Sequence, residues 1–130
     1  MVNDLPSCAF DHFVFGADSL ARGVDWFEAL TGVRIPPGGA HPRMGTHNHV
    51  MATGADSFLE VIAIDPQAPT PPCPRWFGLD DQSTVARLAA GPKPLGWVVR
   101  TTDLEGTLAG DGAAGFDAGE QLDQTRGELR

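Results

Sequence analysis

The chain has 130 residues, 42% hydrophobic and 20% charged, a balance that fits one folded domain with a modest core and excludes a disordered segment. Its net charge is −8 with no basic cluster, which argues against nucleic acid or anionic membrane as a partner. No apolar run approaches the roughly 20 residues that span a bilayer. The start, "MVNDLPSCAF", lacks the charged and apolar regions of a signal peptide, so the expected location is the cytoplasm, with Cys8 and Cys73 reduced.

"CAFDHFVFGA" (8–17) reads as a strand, and its period of two puts Phe10, His12 and Val14 on one face, with Phe13 and Phe15 on the other. "DSLARGVDWFEALTG" (18–32) reads as a helix. Asp18 or Ser19 can cap its start, Leu20, Val24, Phe27 and Thr31 recur at helical spacing with Leu30 flanking, and Gly32 suits the position after the last turn. "VRIPPGG" (33–39) predicts a short strand entering a Pro-Gly turn. "GTHNHVMAT" (45–53) and "SFLEVIAID" (57–65) predict two more strands, joined by the turn residues "GAD". Residues 8–65 therefore read β-α-β-β-β.

"PQAPTPPCPRW" holds five prolines in eleven residues, which suits an extended crossover and excludes regular helix or central strand. "DQSTVARLAAG" (81–91) predicts a short helix with its N-cap near Ser83. "LGWVVRTTDLEGTLAG" (95–110) then repeats the strand, polar turn and helix of the opening. Aligning "GADSL" with "RTTDL" sets Leu20 against Leu104, an offset of 84 residues, the pattern of a duplicated unit. The second copy is short, with 36 residues against 58. After its helix it has room for "GFDAG" and one strand-like piece, "EQLDQTRGELR".

The segments "FDHFVFGADSLARGVDWFEALTGV", "HPRMGTHN", "FLEVIAIDP" and "PRWFGLD" resemble the glyoxalase-like branch of the vicinal oxygen chelate superfamily, over residues 8 to 110. Glyoxalase I, extradiol dioxygenases and the bleomycin- and fosfomycin-resistance proteins belong to that superfamily. The resemblance implies an α+β fold built of βαβββ modules, each curling its sheet into a cup around a site. Here that means a single domain, with a first module over 8–65, a Pro-rich crossover with a short helix over 66–94, and an incomplete second module over 95–130. In the metal-binding members, ligands come from the first and fourth strands of each module, which by position are His12 and Glu60. The ion implied is divalent, Zn²⁺, Ni²⁺, Mn²⁺ or Fe²⁺. The second-module position aligned with His12 is Gly96, which has no donor atom, and the segment due to carry the fourth ligand lies past Arg130. Two protein ligands remain where a catalytic site typically has about three. Another chain, His47 or His49 would have to complete the set.

Taken by themselves, these residues keep two readings each. His12 titrates near neutrality and suits a metal ligand or general base; equally, a half-buried histidine can be satisfied by a backbone carbonyl. Glu60 stands inside the apolar run "FLEVIAI", where a carboxylate is costly unless paired, hydrated or metal-bound. Desolvated, its pKa should rise and it could serve as the proton-transfer base; otherwise its face is exposed. "HPRMGTHNHV" holds His41, His47 and His49. His47 and His49 share one strand face and Asn48 takes the other, and only one face lines the cup. "GTHN" recurs in the sequences this chain resembles, which points to His47 and Asn48 as substrate-binding residues, with His49 incidental and His41 in solvent. Arg43, Arg75 and Trp76 flank the module, either as a mouth for an anionic or aromatic ligand or, for Trp76 and Phe77, as anchors of the crossover.

Two functions remain open. One is a lyase or isomerase in which Glu60 and His12 move a proton on a small oxygenated substrate, metal-assisted or not. The other is a non-catalytic pocket that sequesters a small molecule, as resistance proteins of the superfamily do. The short second module leaves a sheet edge that pairing of two chains into a homodimer would close, unless the sequence is a piece of a longer chain. No dinucleotide fingerprint, P-loop or G-x-S-x-G elbow is present.

Overall fold

The computed structural model of the chain describes residues 8–115, 117, 119, 121 and 122. The elements in order are β1 (Cys8–Gly16), α1 (Leu20–Thr31), β2 (Pro37–His41), β3 (Thr46–Ala52), β4 (Phe58–Ile64), a 3-10 turn (Trp76–Gly78), α2 (Gln82–Ala89), β5 (Lys93–Thr101) and α3 (Leu104–Ala113). The strands form one sheet in the order β2-β3-β4-β1-β5. β4 runs parallel to β1 and antiparallel to β3, and β3 is antiparallel to β2. Among the described residues no helix is long and apolar enough to cross a membrane. Cys8 and Cys73 are free thiols.

The chain divides into two units, residues 11–98 and residues 1–10 with 99–130. In the first, α1 is closed at both ends by its own sequence. Ser19 Oγ accepts from Arg22 N at 3.3 Å, and Gly32, at φ 75°, donates its N–H to Glu28 O at 2.7 Å. Val24 and Phe27 bury against Ile35 and Val61, with Phe15, Leu20, Trp26, Met51 and Leu59 packed around them. Each such side chain removed from water contributes roughly 1.5–3 kcal/mol. The stripe is narrower than the spacing implied: Leu30 is 68% exposed.

Two boundaries differ from expectation. The strand predicted over 33–39 forms instead at Pro37–His41. Ile35 drops into the core, and ladder pairing begins only where Val50 N donates to Pro36 O at 3.1 Å. The register then shifts between Pro37 and Ala40, at the Gly38-Gly39 pair. α2 begins at Gln82 with Asp81 as N-cap, before the expected Ser83.

In the second unit, the Asp103 carboxylate caps α3 by accepting from Gly106 N at 2.9 Å, and Thr101 and Thr107 hydroxyls meet at 2.8 Å. α1 and α3 begin at Leu20 and Leu104, the residues that the internal alignment sets against each other. The piece "EQLDQTRGELR" lies outside the described residues except for Gln121 and Leu122, which are not in a strand.

Candidate active site

Directly paired residues on neighbouring strands put their side chains on the same face. Val14 pairs with Glu60 and His12 with Phe58 across β1 and β4, while Asn48 pairs with Ile62 and Val50 with Glu60 across β3 and β4. One face therefore carries His12, Val14, Phe58, Glu60, Ile62, Asn48 and Val50. The other carries Phe13, Phe15, Leu59, Val61, His47, His49 and Met51, and is the face that α1 covers. The opposite faces expected for His47 and Asn48 are thus resolved, with Asn48 on the face of Glu60 and His47 on the face of α1. His49 Nδ1–H donates to Ile35 O at 2.8 Å, and His47 borders a cleft at the start of α1 with residues 18–21.

On the first face, Asp11, His12 and Glu60 are 6%, 7% and 5% exposed. His12 Nδ1–H donates to Asp11 Oδ2 at 2.7 Å, and its Nε2 lies 3.5 Å from Glu60 Oε1. The imidazole stacks on Phe58, with centroids 4.1 Å apart and planes at 13°. Asn48 Nδ2 donates to Glu60 Oε2 and lies 3.3 Å from His41 Nε2. His41 Nδ1 meets Thr46 Oγ1 at 2.9 Å, and its ring takes the edge of Trp76 at 5.1 Å. His41, expected in solvent, is instead half-buried at the end of β2. Its only sequence signal is that a tight 42–45 connection sets it opposite Thr46.

Burial alone would raise the Glu60 pKa, as expected from its apolar strand. The bonds from His12 and Asn48, with the His12 charge, outweigh burial and hold it below the ordinary 4.5. For His12, burial pushes down, and the Glu60 and Asp11 carboxylates push it above 6.5. His41 is moved the other way: burial lowers it, and Glu60 offsets only part of that. The first two effects both favour the charged forms, an imidazolium beside the Glu60 and Asp11 carboxylates.

Arg75 fastens the crossover to this region. Its guanidinium donates to Asp80 at 2.6 Å and to Gly45 O at 3.4 Å, and its backbone N–H donates to Asp80 at 2.7 Å. The turn it starts contains Phe77 at φ 56°, a strained angle for a non-glycine residue, followed by Gly78 at φ 64°. Trp76 Nε1 is buried with no hydrogen-bond partner among the described residues. Arg43 is exposed in the connection between β2 and β3.

A glyoxalase-like domain family matches the chain over residues 10–130. The chain belongs to that family. The glyoxalase-like domain is also similar in fold to the crystal structure of methylmalonyl-CoA epimerase from Mycobacterium tuberculosis, at 14% identity and a TM-score of 0.56, covering 88% of this chain and 69% of that one. No curated protein matches it.

The divalent ion that the sequence resemblance implies would need donors that these residues can supply. His12 fits a ligand role, because Asp11 holds its Nδ1–H and leaves Nε2 aimed at Glu60. No third partner joins them: among the described residues no group of three or more His, Cys, Asp or Glu could hold an ion. Gly96 is not the β5 residue on their face. A methyl on Gly16 would fall 2.4 Å from Leu95 Cδ1, so Leu95 lies on the His12 face and alternation puts Trp97 there with it. An indole N–H has no lone pair for a metal. The described residues therefore supply two donors and do not by themselves fit a complete ion site.

Proposed function

We propose that this domain is an enzyme, a lyase or isomerase that moves a proton on a small oxygenated substrate, with Glu60 as base and His12 as acid. The buried His12–Glu60 pair carries the reading, two titratable groups 3.5 Å apart on one sheet face. Burying such a pair rarely adds stability over apolar packing, so it is better explained by chemistry than by folding. Asn48 occupies Glu60 Oε2, which leaves Oε1 as the reacting oxygen. A substrate carbonyl would accept from His12 Nε2–H while Oε1 takes the proton from the adjacent carbon. The C–H bond breaks, an O–H bond forms on Glu60, and the electron pair moves to the carbonyl oxygen as an enolate held by His12. Return of the proton to the other face, or to a neighbouring carbon, completes an isomerisation. Arg43 and Trp76 are the mouth residues in this proposal, and the cytoplasm is the site of action.

The test is exchange of substrate C–H for C–D in D₂O, followed by proton NMR. The panel covers 2-oxo and 2-hydroxycarbonyl compounds and acyl thioesters, including methylmalonyl-CoA, named for the structural relative. Exchange that Glu60→Gln slows by about 10²–10⁴-fold is the expected result. Exchange undiminished in that variant, or absent with the whole panel, would overturn the proposal. Shifts of the His12 resonances without exchange would support the non-catalytic pocket. Titration with Zn²⁺, Ni²⁺, Mn²⁺ and Fe²⁺, repeated on His12→Ala, tests whether an ion uses the two donors.

A further inference from the structure

The hydrogen bonds around Glu60 run on to a histidine that the proposed chemistry does not use. Each donor in that chain can be assigned. Gly39 N–H donates to Asn48 Oδ1 at 2.9 Å, which fixes the amide the right way round, with Nδ2 toward Glu60 and His41. Nδ2 can only donate, so His41 Nε2 accepts, and the ring proton sits on Nδ1, where it donates to Thr46 Oγ1. Asn48 is thus held from both sides: its oxygen by β2 backbone, its nitrogen by a carboxylate and a neutral imidazole.

We propose that His41 is a positioning residue for Glu60: neutral, it holds the Asn48 amide with an N–H on Oε2, and protonated, it turns that amide away. This rests on the reading of Glu60 as the reacting carboxylate. A second proton on His41 would convert Nε2 from acceptor to donor, and two donors would then face each other across 3.3 Å. The Asn48 side chain relieves that clash by swinging away from His41, which draws Nδ2 off Glu60 Oε2 and removes its donor; a half-turn in place would only set Nδ2 against Gly39 N–H, donor to donor. Gly39 N–H, on the exposed Gly38-Gly39 bulge, has water as its substitute acceptor. On the face of His41 stand Glu60 from β4, whose charge favours the imidazolium, and the uncharged Thr46 and Trp76; His47, on the opposite face of β3, opposes the imidazolium through charge alone. Glu60 itself faces His12 from β1, with Asp11 behind it, and Asn48 from β3.

The experiment is a pH titration of the ligand-free full chain by NMR. It follows the Asn48 side-chain amide protons, the Glu60 carboxyl carbon and the His41 ring nitrogens in the wild type, His41→Gln and His41→Phe. Neutral His41 should show the Nδ1–H tautomer. The Asn48 and Glu60 signals should share a step at the His41 midpoint. His41→Gln, whose side chain still accepts but does not titrate, should keep the low-field Asn48 signal and lose the step. His41→Phe, which keeps the contact with Trp76 but accepts nothing, should lose both and let Glu60 titrate higher. A step that persists in His41→Gln, a Glu60 titration unchanged in His41→Phe, or the Nε2–H tautomer would overturn the proposal. A missing step beside an inactive Glu60→Gln would overturn the role of His41 alone. A clear step beside a fully active Glu60→Gln would overturn the reading of Glu60 while the coupling holds.

Discussion

Replacing Glu60 by Gln preserves the side-chain shape and removes one buried charge, and its effect on stability can be worked from the contacts. Asn48 needs an acceptor, so the Gln oxygen must face it, which turns the Gln NH₂ toward His12 Nε2. That contact is favourable only if Nε2 accepts, so His12 must become neutral while Nδ1–H stays on Asp11. Deleting one partner of a buried pair costs about 3–5 kcal/mol when the other charge is stranded. Here the other charge is discharged and both hydrogen bonds survive. The loss is then the difference between charge-assisted and neutral bonds, about 1–4 kcal/mol for two.

The pH dependence follows from the two shifts. Glu60 is held below 4.5, so its contribution is present above that value and lost as pH falls through the folded pKa. His12 is raised above 6.5, so its contribution is fully present below 6.5 and lost as pH rises through the folded pKa. Both are present between those values, and the cost of Glu60→Gln should be largest there. Urea unfolding of both proteins at about pH 5.5 and about pH 9 measures this, read as the change in midpoint at constant slope. A cost equal at the two pH values, or larger at the alkaline one, would refute the ion-pair argument.

Three packing predictions follow from the backbone. Gly23→Ala should lower the melting temperature although alanine favours the helix by about 1 kcal/mol. The new methyl falls 2.6 Å from Val61 Cγ1 and 2.8 Å from Ala17 Cβ, and such overpacking costs about 1–3 kcal/mol. An unchanged or higher melting temperature would show that α1 can lift off the sheet freely. Ser19→Ala should cost about 1 kcal/mol in urea unfolding, with Ser19→Asp recovering most of it, because the cap hydroxyl accepts from Arg22 N. Gly45→Ala should destabilise by about 1–2 kcal/mol, since φ is 60° there and the methyl would press on the Arg75 guanidinium at 3.2 Å. The urea midpoint and the Trp fluorescence maximum together check whether the 75–80 turn moves with it.

Much of this arrangement was legible along the chain. Ser19 and Gly32 start and stop α1 through contacts within four residues, and β1, β3 and β4 follow from strand-forming runs between turn residues. The parities that put His12 opposite Phe13, and Glu60 opposite Leu59, are also local, because side chains alternate along any strand. Relations between neighbouring strands are not legible in this way. The period of two sets His47 and Asn48 on opposite faces, but only the β3–β4 register shows that the Asn48 face is the one shared with Glu60. Alignment of the two turns sets Gly96 against His12, whereas the approach of Leu95 to Gly16 gives that face to Trp97. His41 reads as solvated, because nothing in "AHPRM" shows that β2 folds back beside Asn48.

The sequence by itself determined where the helices and strands lie and which residues within each strand share a side, because these depend on caps, turns and a two-residue period. Only the tertiary structure decided which strand lies beside which and in what register. That brought Asp11, His12, Glu60, Asn48 and His41 into one network. It also reversed the expected direction for Glu60: burial belongs to the residue's own strand, but the donors that overcome it arrive from strands 12 and 48 positions away.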